Sequence, residues 1–338
     1  MKDSLQNIIY VGKSKNLKSR INSYFINSKS HSPKVVKLVK NMKDFEYILT
    51  DTEFEAFMLE CRLIKEVKPI YNRLMKSPMS YTYIKINNNY SNIETSNQSI
   101  KDDDSFYFGP YTNKSTLERG IQGIKECSQI VCNGNSKKAS PCLNYSLGTC
   151  IGFCFDASAK ELYKNIICQI VKLLNGSDRE ILKKMELNMT NAVEKFDFES
   201  AAQYRDYIFS VNYLINKQKV IEFTKENRNI ALIEYLGKDS FKFFLIKGNK
   251  ILFSEKYFIY IPLIKSLKIT LRNNILYYFK NKDLNNSIEI GRNEIDEVQI
   301  IYTYLKSKQN NCKYIVVSDE WIESKSYINI EVKLSRLF

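Results

Sequence analysis

The stretch Tyr10-Val-Gly-Lys-Ser-Lys-Asn-Leu-Lys-Ser-Arg20 decides the fold of the amino-terminal part of the chain. The apolar residues 8–11 predict a short buried strand, and Gly12 ends it. Residues 13–25 then predict a helix with a basic face that carries Lys15, Lys18 and Arg20. Tyr10 is therefore expected at the end of a strand, and Arg20 on the helix that follows it.

The elements that follow predict a compact α/β unit over residues 1–86. Residues 33–42 have the apolar spacing of an amphipathic helix, and residues 45–49 alternate like a strand. Thr52, with Glu55 three residues later, predicts a capping box at the start of a helix that stops before Pro69. Residues 81–86 alternate again, as a strand does. Beyond them, residues 87–105 are rich in Asn, Ser and Asp, which is typical of a solvated loop.

The second half of the chain predicts helices first and strands later. From residue 161 to 219, two apolar stripes with 3–4 spacing are separated by a short break near Asp197. This pattern predicts an antiparallel helical hairpin. Residues 241–246 and 251–258 alternate between apolar and polar side chains, which predicts a second α/β segment.

Composition limits the class of protein. The 338 residues are 44% hydrophobic and 26% charged, as in a globular protein of two or three small domains. No run of about 18 apolar residues predicts a membrane span, and residues 1–13 lack an apolar signal core, so we do not expect secretion. The net charge of +14 suggests a polyanionic partner. Residues 1–86 contain 16 Lys and Arg against 8 Asp and Glu, so over half of the excess positive charge lies in this segment. The alternative is that the many lysines reflect the composition typical of proteins from AT-rich genomes and indicate no particular partner.

The motif that ends at Arg20 resembles the second half of the GIY-YIG nuclease motif of the UvrC family of excision-repair proteins. The resemblance continues through Glu53-Phe-Glu-Ala-Phe-Met-Leu-Glu60 and Pro69-Ile-Tyr-Asn72. It implies a GIY-YIG-type small α/β nuclease domain over residues 1–86. Such a domain hydrolyses phosphodiester bonds, which requires a placed nucleophile, a cation at the phosphate and relief of developing charge.

The same resemblance implies roles for five residues. Glu60 would be the carboxylate that holds Mg²⁺ or Mn²⁺, with waters in the rest of the shell. Arg20 would clamp the phosphate, and Tyr10 would orient or activate the attacking water. Lys13 and Asn72 would complete the surroundings of the phosphate and the metal.

The sequence departs from the family pattern at the amino terminus. A Gly-Ile-Tyr or Gly-Val-Tyr strand precedes the Tyr-Val-Gly strand in the family, and Met1 falls about where that strand ends. The first Tyr, a catalytic residue of the family, is therefore expected to be missing. Three interpretations are open: the chain starts further upstream, the copy has decayed, or Tyr10 carries the chemistry alone. Arg62 also replaces an Asn that is usual in the family.

A second constellation consists of four cysteines: Cys132, Cys142, Cys150 and Cys154. UvrC proteins carry a similar run after a Tyr-Phe-Gly-Pro-Tyr segment like residues 107–111, which implies a Cys-rich helical region over residues 87–178. Four thiolates suit a [4Fe–4S] cluster or tetrahedral zinc. The resemblance favours iron–sulfur, the spacing alone does not choose, and free thiols are the alternative. The remaining cysteines, Cys61, Cys127, Cys168 and Cys312, are expected to be packing residues, and the sole histidine, His31, a loop residue.

The string Phe196-Asp-Phe-Glu-Ser-Ala-Ala-Gln-Tyr-Arg-Asp206 resembles the UVR motif, the helical hairpin through which UvrC contacts UvrB. The resemblance implies such a hairpin over residues 179–214. Its expected partner-binding residues are two aromatic anchors, one small residue and three charged ones: Phe196, Phe198, Ala202, Glu199, Arg205 and Asp206. The alternative is an ordinary helical hairpin in the core.

Residues from about 229 resemble the opening strands of the UvrC homology region, so residues 221–338 are expected to be a truncated, partial α/β form of it. The expected fold class is therefore α+β multidomain. The function implied is cytoplasmic, Mg²⁺-dependent incision of damaged double-stranded DNA on the 3′ side of a lesion, in complex with UvrB. The alternatives are a catalytically impaired UvrB-binding protein and a remnant of a truncated gene.

Overall fold

A computed structural model confirms the expected α+β multidomain architecture. It describes residues 1–26, 32–72, 81–87, 93–100, 105–132, 141, 143–156, 158–280, 294–307, 311–323 and 328–338. The chain forms two compact units. The first unit combines Met1–Pro78 with Phe223–Phe338, and the second consists of Met79–Glu222. The amino-terminal segment thus folds together with the carboxy-terminal region, which lies far away in the sequence.

The amino-terminal part of the first unit contains three helices: α1 (Leu17–Phe25), α2 (Pro33–Asn41) and α3 (Glu53–Val67). Asn16 caps α1, because its side chain accepts a hydrogen bond of 2.9 Å from the Ser19 N–H. The helix predicted over residues 13–25 therefore begins four residues later than expected. Lys13 and Lys15 lie in the loop before it.

The strands predicted over residues 8–11 and 45–49 are wrong. The Ile9 N–H donates to the Met1 carbonyl at 3.0 Å, and the Lys2 N–H donates to the Asp44 carbonyl at 2.7 Å. In the described part of the chain, only isolated bridges join these segments. Alternating apolar residues favour a strand, but a ladder also needs a neighbouring segment of matching length, which residues 1–3 do not supply.

Helix α3 is as predicted. The Thr52 side chain accepts a hydrogen bond of 3.0 Å from the Glu55 N–H, and Glu55 in turn accepts one of 3.2 Å from the Asp51 N–H. The helix ends at Val67, followed by Lys68 in the left-handed region with φ of 51°. The capping bonds before the first turn and the left-handed Lys68 after the last turn thus define both ends of α3.

The second unit contains the strands β1 (Thr82–Asn87), β2 (Ile93–Ser96) and β3 (Ser105–Tyr111), in the antiparallel order β2-β1-β3. Its helices are α4 (Lys114–Cys127), α5 (Leu143–Ser146), α6 (Ala159–Leu174), α7 (Glu180–Glu194) and all but the last three residues of α8 (Phe198–Lys225). The strand predicted over residues 81–86 is confirmed, but it lies in this unit. Strand β2 occupies part of the predicted loop over residues 87–105, where Ile93 alone gave little apolar signal.

The carboxy-terminal part of the first unit is built on a four-stranded antiparallel sheet in the order β6-β5-β4-β7. Its strands are β4 (Asn229–Tyr235), β5 (Ser240–Lys247), β6 (Lys250–Phe258) and β7 (Cys312–Val317). Its helices are α9 (Ile264–Lys280), α10 (Ile295–Lys306), α11 (Asp319–Glu323) and α12 (Ile328–Leu334), and a short 3₁₀ helix covers Ile261–Leu263. The predicted α/β segment is thus confirmed.

The two central strands, β4 and β5, are buried on both faces of the sheet, because successive side chains of a strand point to opposite sides. One face, which includes Ile233 and Phe243, packs against residues of α9 and α12. The other face, which includes Leu232 and Phe244, packs against residues of α10 and against Phe54 of α3. One core is therefore shared between the amino-terminal and carboxy-terminal parts of the unit. Among the described residues, no helix combines the length and apolar character that crossing a membrane requires.

Candidate active site

A cleft of about 840 Å³ lies in the first unit. Four of the five predicted site residues line it: Tyr10, Lys13, Arg20 and Glu60. The carboxy-terminal part of the unit also contributes to its wall, through Glu234 and Tyr304. The cleft thus brings together a phenol, two cationic side chains and a carboxylate from separate elements.

Tyr10, Arg20 and Tyr24 form a hydrogen-bonded cluster in the cleft. The rings of Tyr10 and Tyr24 are 6.3 Å apart between centroids, and the Arg20 guanidinium carbon lies 5.2 Å from the centroid of the Tyr24 ring. Burial lowers the pKa of Arg20, but its two tyrosine neighbours outweigh this and raise it. Burial, together with the hydrogen bond to Tyr10, raises the pKa of Tyr24 to about 12. The cluster therefore presents a permanent cation beside two phenol groups.

Tyr24 was not among the predicted site residues. A signal was available, because Tyr24 follows Arg20 by four residues on the predicted helix, and side chains at this spacing are neighbours on a helix surface. Gly12 also has a local role, since a Cβ atom there would lie 2.8 Å from a ring carbon of Tyr10 and 2.9 Å from its hydroxyl oxygen. Because Gly12 has no Cβ atom, the Tyr10 ring can pack against the backbone of Gly12, where it also contacts the Tyr24 ring.

Glu53 holds the two lysines of the loop before α1. Its carboxylate lies 3.1 Å from Lys13 Nζ and 2.8 Å from Lys15 Nζ. The hydrogen bond from Lys15, reinforced by Lys13, lowers the pKa of Glu53. The Lys13 ammonium also lies 3.5 Å from the centroid of the Phe57 ring. Lys13 is therefore fixed against α3, an arrangement that its place in the motif did not indicate.

Glu60 lies about two turns further along α3, half-buried in the cleft. Its Oε1 atom accepts a hydrogen bond of 3.3 Å from the Lys13 N–H. Burial raises the pKa of Glu60, opposed by that hydrogen bond and by the charges of Lys13 and Arg20. A desolvated carboxylate with remaining acceptor capacity is a suitable ligand for a hard cation.

Asn72 does not line the cleft but holds the segment that carries Tyr10. Its Oδ1 atom accepts a hydrogen bond of 3.0 Å from the Val11 N–H, and its Nδ2 atom donates one of 2.9 Å to the Val11 carbonyl. The Tyr71 N–H also donates to the Ile9 carbonyl, at 2.9 Å. Asn72 therefore holds the backbone next to Tyr10 in place through Val11.

Three of the four motif cysteines are described, whereas Cys142 and His31 lie outside the described residues. An isolated bridge pairs Ile130 with Cys150, which is buried, and Cys132 Sγ accepts a hydrogen bond of 3.3 Å from Asn144. Within the part of the chain that the structure describes, no three His, Cys, Asp or Glu side chains are close enough to hold a metal ion.

Helices α7 and α8 form the hairpin predicted over residues 179–214. Asp197 caps α8 by accepting a hydrogen bond of 3.1 Å from the Ser200 N–H. The preceding residue, Phe196, has φ of 59°, and the side chains of Phe196 and Phe198 are 79% and 64% exposed. Two large aromatic side chains at the tip of a hairpin are available to a partner. Arg205 forms an ion pair with its neighbour Asp206 at 2.8 Å.

Comparison with known families gives three matches in chain order. Residues 1–73 match the UvrC-like GIY-YIG domain, residues 81–173 the middle domain of the UvrC/Cho excinuclease, and residues 179–214 the UvrB/uvrC motif. The first match ends before strand β1, in agreement with the place of that strand in the second unit.

Several curated relatives carry the name UvrABC system protein C. The relative from Alkaliphilus oremlandii is 40% identical over 266 residues, which cover 76% of this chain and 43% of the relative. The relative from Clostridium tetani is 41% identical over 266 residues, 76% of this chain and 42% of the relative. The relative from Clostridium kluyveri is 34% identical over 348 aligned positions, which cover 99% of this chain and 55% of the relative. The chain spans about half the length of these relatives. No solved structure matches it significantly.

Proposed function

Because the chain belongs to the UvrC-like family, we propose that it is an excinuclease subunit of nucleotide excision repair. In this proposal it cuts a DNA phosphodiester bond on the 3′ side of a lesion, in a Mg²⁺-dependent reaction and in complex with UvrB. The observation that carries the proposal is the cleft that collects Tyr10, Arg20 and Glu60. These are a phenol, a cation and a carboxylate, which can orient the attacking water, bind the phosphate and hold a metal ion during phosphodiester hydrolysis.

Arg20 would bind a non-bridging oxygen of the scissile phosphate. Its charge persists at every physiological pH, and Tyr24 and Tyr10 restrict its side chain, so the contact is preorganised. Tyr10 would orient the attacking water through its hydroxyl group. The hydroxyl of Tyr24 adds a further hydrogen bond in the same cluster. Lys13 would contribute positive charge from its place beside Glu53.

Glu60 would hold Mg²⁺, for which Mn²⁺ is a chemically close substitute. The residues present suit such a cation, because Glu60 is a half-buried oxygen donor with one long backbone hydrogen bond to its Oε1. When bound, the cation supplies positive charge that offsets the charge developing on the phosphate. A single carboxylate with several retained waters is a common way for proteins to bind Mg²⁺.

The decisive experiment is Glu60→Gln, assayed with UvrB, Mg²⁺ and a duplex that carries one lesion. We expect the variant to lose nicking while DNA binding stays within about twofold of the wild type. Glu66→Gln is the matched control, because Glu66 is an exposed glutamate on the same helix. A Glu60→Gln protein that nicks at the wild-type rate would refute the assignment. Absence of nicking by the wild type would favour a UvrB-binding protein without catalytic activity.

Two further parts of the proposal concern the second unit and the compartment. Cys132, Cys142, Cys150 and Cys154 would hold a [4Fe–4S] cluster, with zinc as the alternative occupant. The support is the chemistry of four thiols. Among the described residues, Cys132, Cys150 and Cys154 are not gathered into a metal site, so their side chains would have to converge when the cluster binds. The hairpin tip at Phe196 and Phe198 would bind UvrB. We place the protein in the cytoplasm, where its DNA substrate is found.

A further inference from the structure

Helix α3 makes contacts on two faces. Glu53, Phe57 and Glu60 lie on the face toward the cleft and Lys13. A second stripe at helical spacing consists of Phe54, Met58, Cys61 and Lys65, and it faces the carboxy-terminal part of the unit. Lys65 forms an ion pair with Glu297 of α10. The helix that carries Glu60 thus packs along its length against residues of the carboxy-terminal part of the unit.

Phe54 anchors this contact. Its side chain is completely buried and makes an edge contact with the Phe244 ring, with centroids 5.2 Å apart. It also stacks on the Tyr304 ring at 4.8 Å and an interplanar angle of 28°. The Tyr304 hydroxyl donates to Glu234 Oε1 at 2.5 Å, which orders the stacked ring. The amino-terminal part of the unit therefore depends on the sheet for part of its core.

Lys242 of β5 crosses from the sheet to the first turn of α3. Its Nζ atom lies 2.8 Å from Asp51 Oδ2 and 3.0 Å from Glu55 Oε1, and its side chain is only 12% exposed. The Asp51 N–H also donates a hydrogen bond to the Glu55 carboxylate at the amino-terminal cap of α3. A partly desolvated cation shared by two carboxylates is screened less by salt than a surface pair. Lys242 therefore holds both carboxylates of the cap in place.

We propose that Lys242 is a positioning residue for the metal-binding helix. It holds the first turn of α3 from the carboxy-terminal sheet, so that Glu60, further along the helix, keeps its place opposite Lys13 and Arg20. This inference rests on the proposed function for its activity readout. The carboxy-terminal region, in this view, determines the geometry of the cleft as well as the stability of the unit.

The test uses the full chain with Lys242→Ala, Lys242→Arg and the control Lys238→Ala, whose lysine is exposed in the turn between β4 and β5. Three quantities are measured: Mn²⁺ affinity by electron paramagnetic resonance, hydrogen exchange of the amides in residues 53–60, and nicking with kcat separated from KM. We expect Lys242→Ala to lower Mn²⁺ affinity and kcat by roughly ten- to a hundredfold and to speed exchange, with KM for DNA unchanged. Lys242→Arg should restore most of both, and Lys238→Ala should match the wild type.

The outcomes separate this inference from the proposed function. If the wild type does not nick but Lys242→Ala still weakens Mn²⁺ binding and loosens residues 53–60, the proposed function fails and the inference stands. If Lys242→Ala binds Mn²⁺ like the wild type, the inference is overturned. It is overturned even if the variant unfolds at a lower temperature, because Lys242 would then support stability alone.

Discussion

Asn72 holds Val11 by both of its backbone polar groups, through hydrogen bonds of 3.0 and 2.9 Å that link positions 61 residues apart. A carboxamide carries an acceptor and a donor side by side, so it can accept from the N–H and donate to the C=O of the same residue. The arrangement replaces two bonds that a neighbouring strand would otherwise make. It fixes the backbone next to Tyr10, and so couples the end of α3 to the phenol in the cleft.

The first prediction concerns Asn72→Asp and Asn72→Ala. Asp keeps the acceptor but cannot donate to the Val11 carbonyl, and Ala leaves both backbone groups without this partner. We expect each variant to lose roughly 1–3 kcal/mol in free energy of unfolding. The nicking rate should fall while Mn²⁺ affinity changes less than about twofold, because Asn72 bonds to the backbone of Val11 and does not line the cleft that contains Glu60. A large loss of Mn²⁺ affinity would instead indicate that Asn72 lies near the bound metal, as the sequence resemblance implied.

The second prediction concerns Arg20→Ala. Loss of one preorganised charge contact to the reacting phosphate costs about 3 kcal/mol, or on the order of a hundredfold in rate. We expect this loss in kcat, measured with UvrB on a single-lesion duplex. Lys18→Ala is the control, because Lys18 is exposed on the same helix and carries the same charge. Equal losses in the two variants would mean that α1 contributes only general attraction to DNA.

The third prediction follows from the raised pKa of Glu60. Because burial raises this pKa above its unfolded-state value, the folded chain binds the proton more tightly than the unfolded chain does. Stability is therefore lost as pH rises through the window between the two values. In the absence of metal, Glu60→Gln should unfold at a higher temperature than the wild type at about pH 8, and the difference should shrink as the pH falls toward the ordinary value of 4.5.

Added Mg²⁺ gives the complementary check in the same thermal scans. It should raise the unfolding temperature of the wild type and leave Glu60→Gln unchanged, because a ligand stabilises only the state that binds it. A wild type that is more stable than Glu60→Gln without metal would show that Glu60 makes a favourable contact in the folded chain. The pKa of Glu60 would then not be raised in the folded chain.

Local signals in the sequence were sufficient for helices α2, α3, α7 and α8 and for two strands of the carboxy-terminal sheet. Thr52 and Glu55 predicted the cap of α3, and alternation predicted β5 and β6, because these patterns depend on neighbours in the chain. The strands over residues 8–11 and 45–49 were wrong because a ladder depends on a partner elsewhere. The motif placed Glu60 and Arg20, but no local pattern could show that Phe54 packs into a sheet from the far end of the chain.

The fourth prediction concerns the cysteines of the second unit. Protein purified without oxygen should be brown and contain about four iron atoms per chain, with four thiolate ligands. Cys142→Ala should bleach the colour, whereas Cys312→Ala should not, because Cys312 lies on β7 in the other unit. Metal analysis by mass spectrometry decides between the occupants. Stoichiometric zinc would support the alternative, and absence of both metals would leave the thiols free.

The fifth prediction concerns the tip of the α7–α8 hairpin. Aromatic side chains that are exposed in a free protein and anchor a partner often cost about 2 kcal/mol or more when truncated, which is roughly thirtyfold in affinity. We expect Phe196→Ala and Phe198→Ala to weaken UvrB binding by about this factor in calorimetric titrations. Phe209→Ala is the matched control, because Phe209 is 68% exposed on the same helix but lies about three turns from the tip.

Nicking assays complete this test, because the hairpin and the cleft belong to different compact units. The two tip variants should keep wild-type Mn²⁺ affinity. Their UvrB-dependent nicking should fall when UvrB is limiting. It should recover when the UvrB concentration exceeds the increased dissociation constant of the variant complex. This recovery is the expected mark of a binding defect, since mass action restores the complex. Equal weakening by Phe209→Ala would move the contact from the tip to the side of α8. Unchanged affinity in both tip variants would remove Phe196 and Phe198 from the UvrB interface.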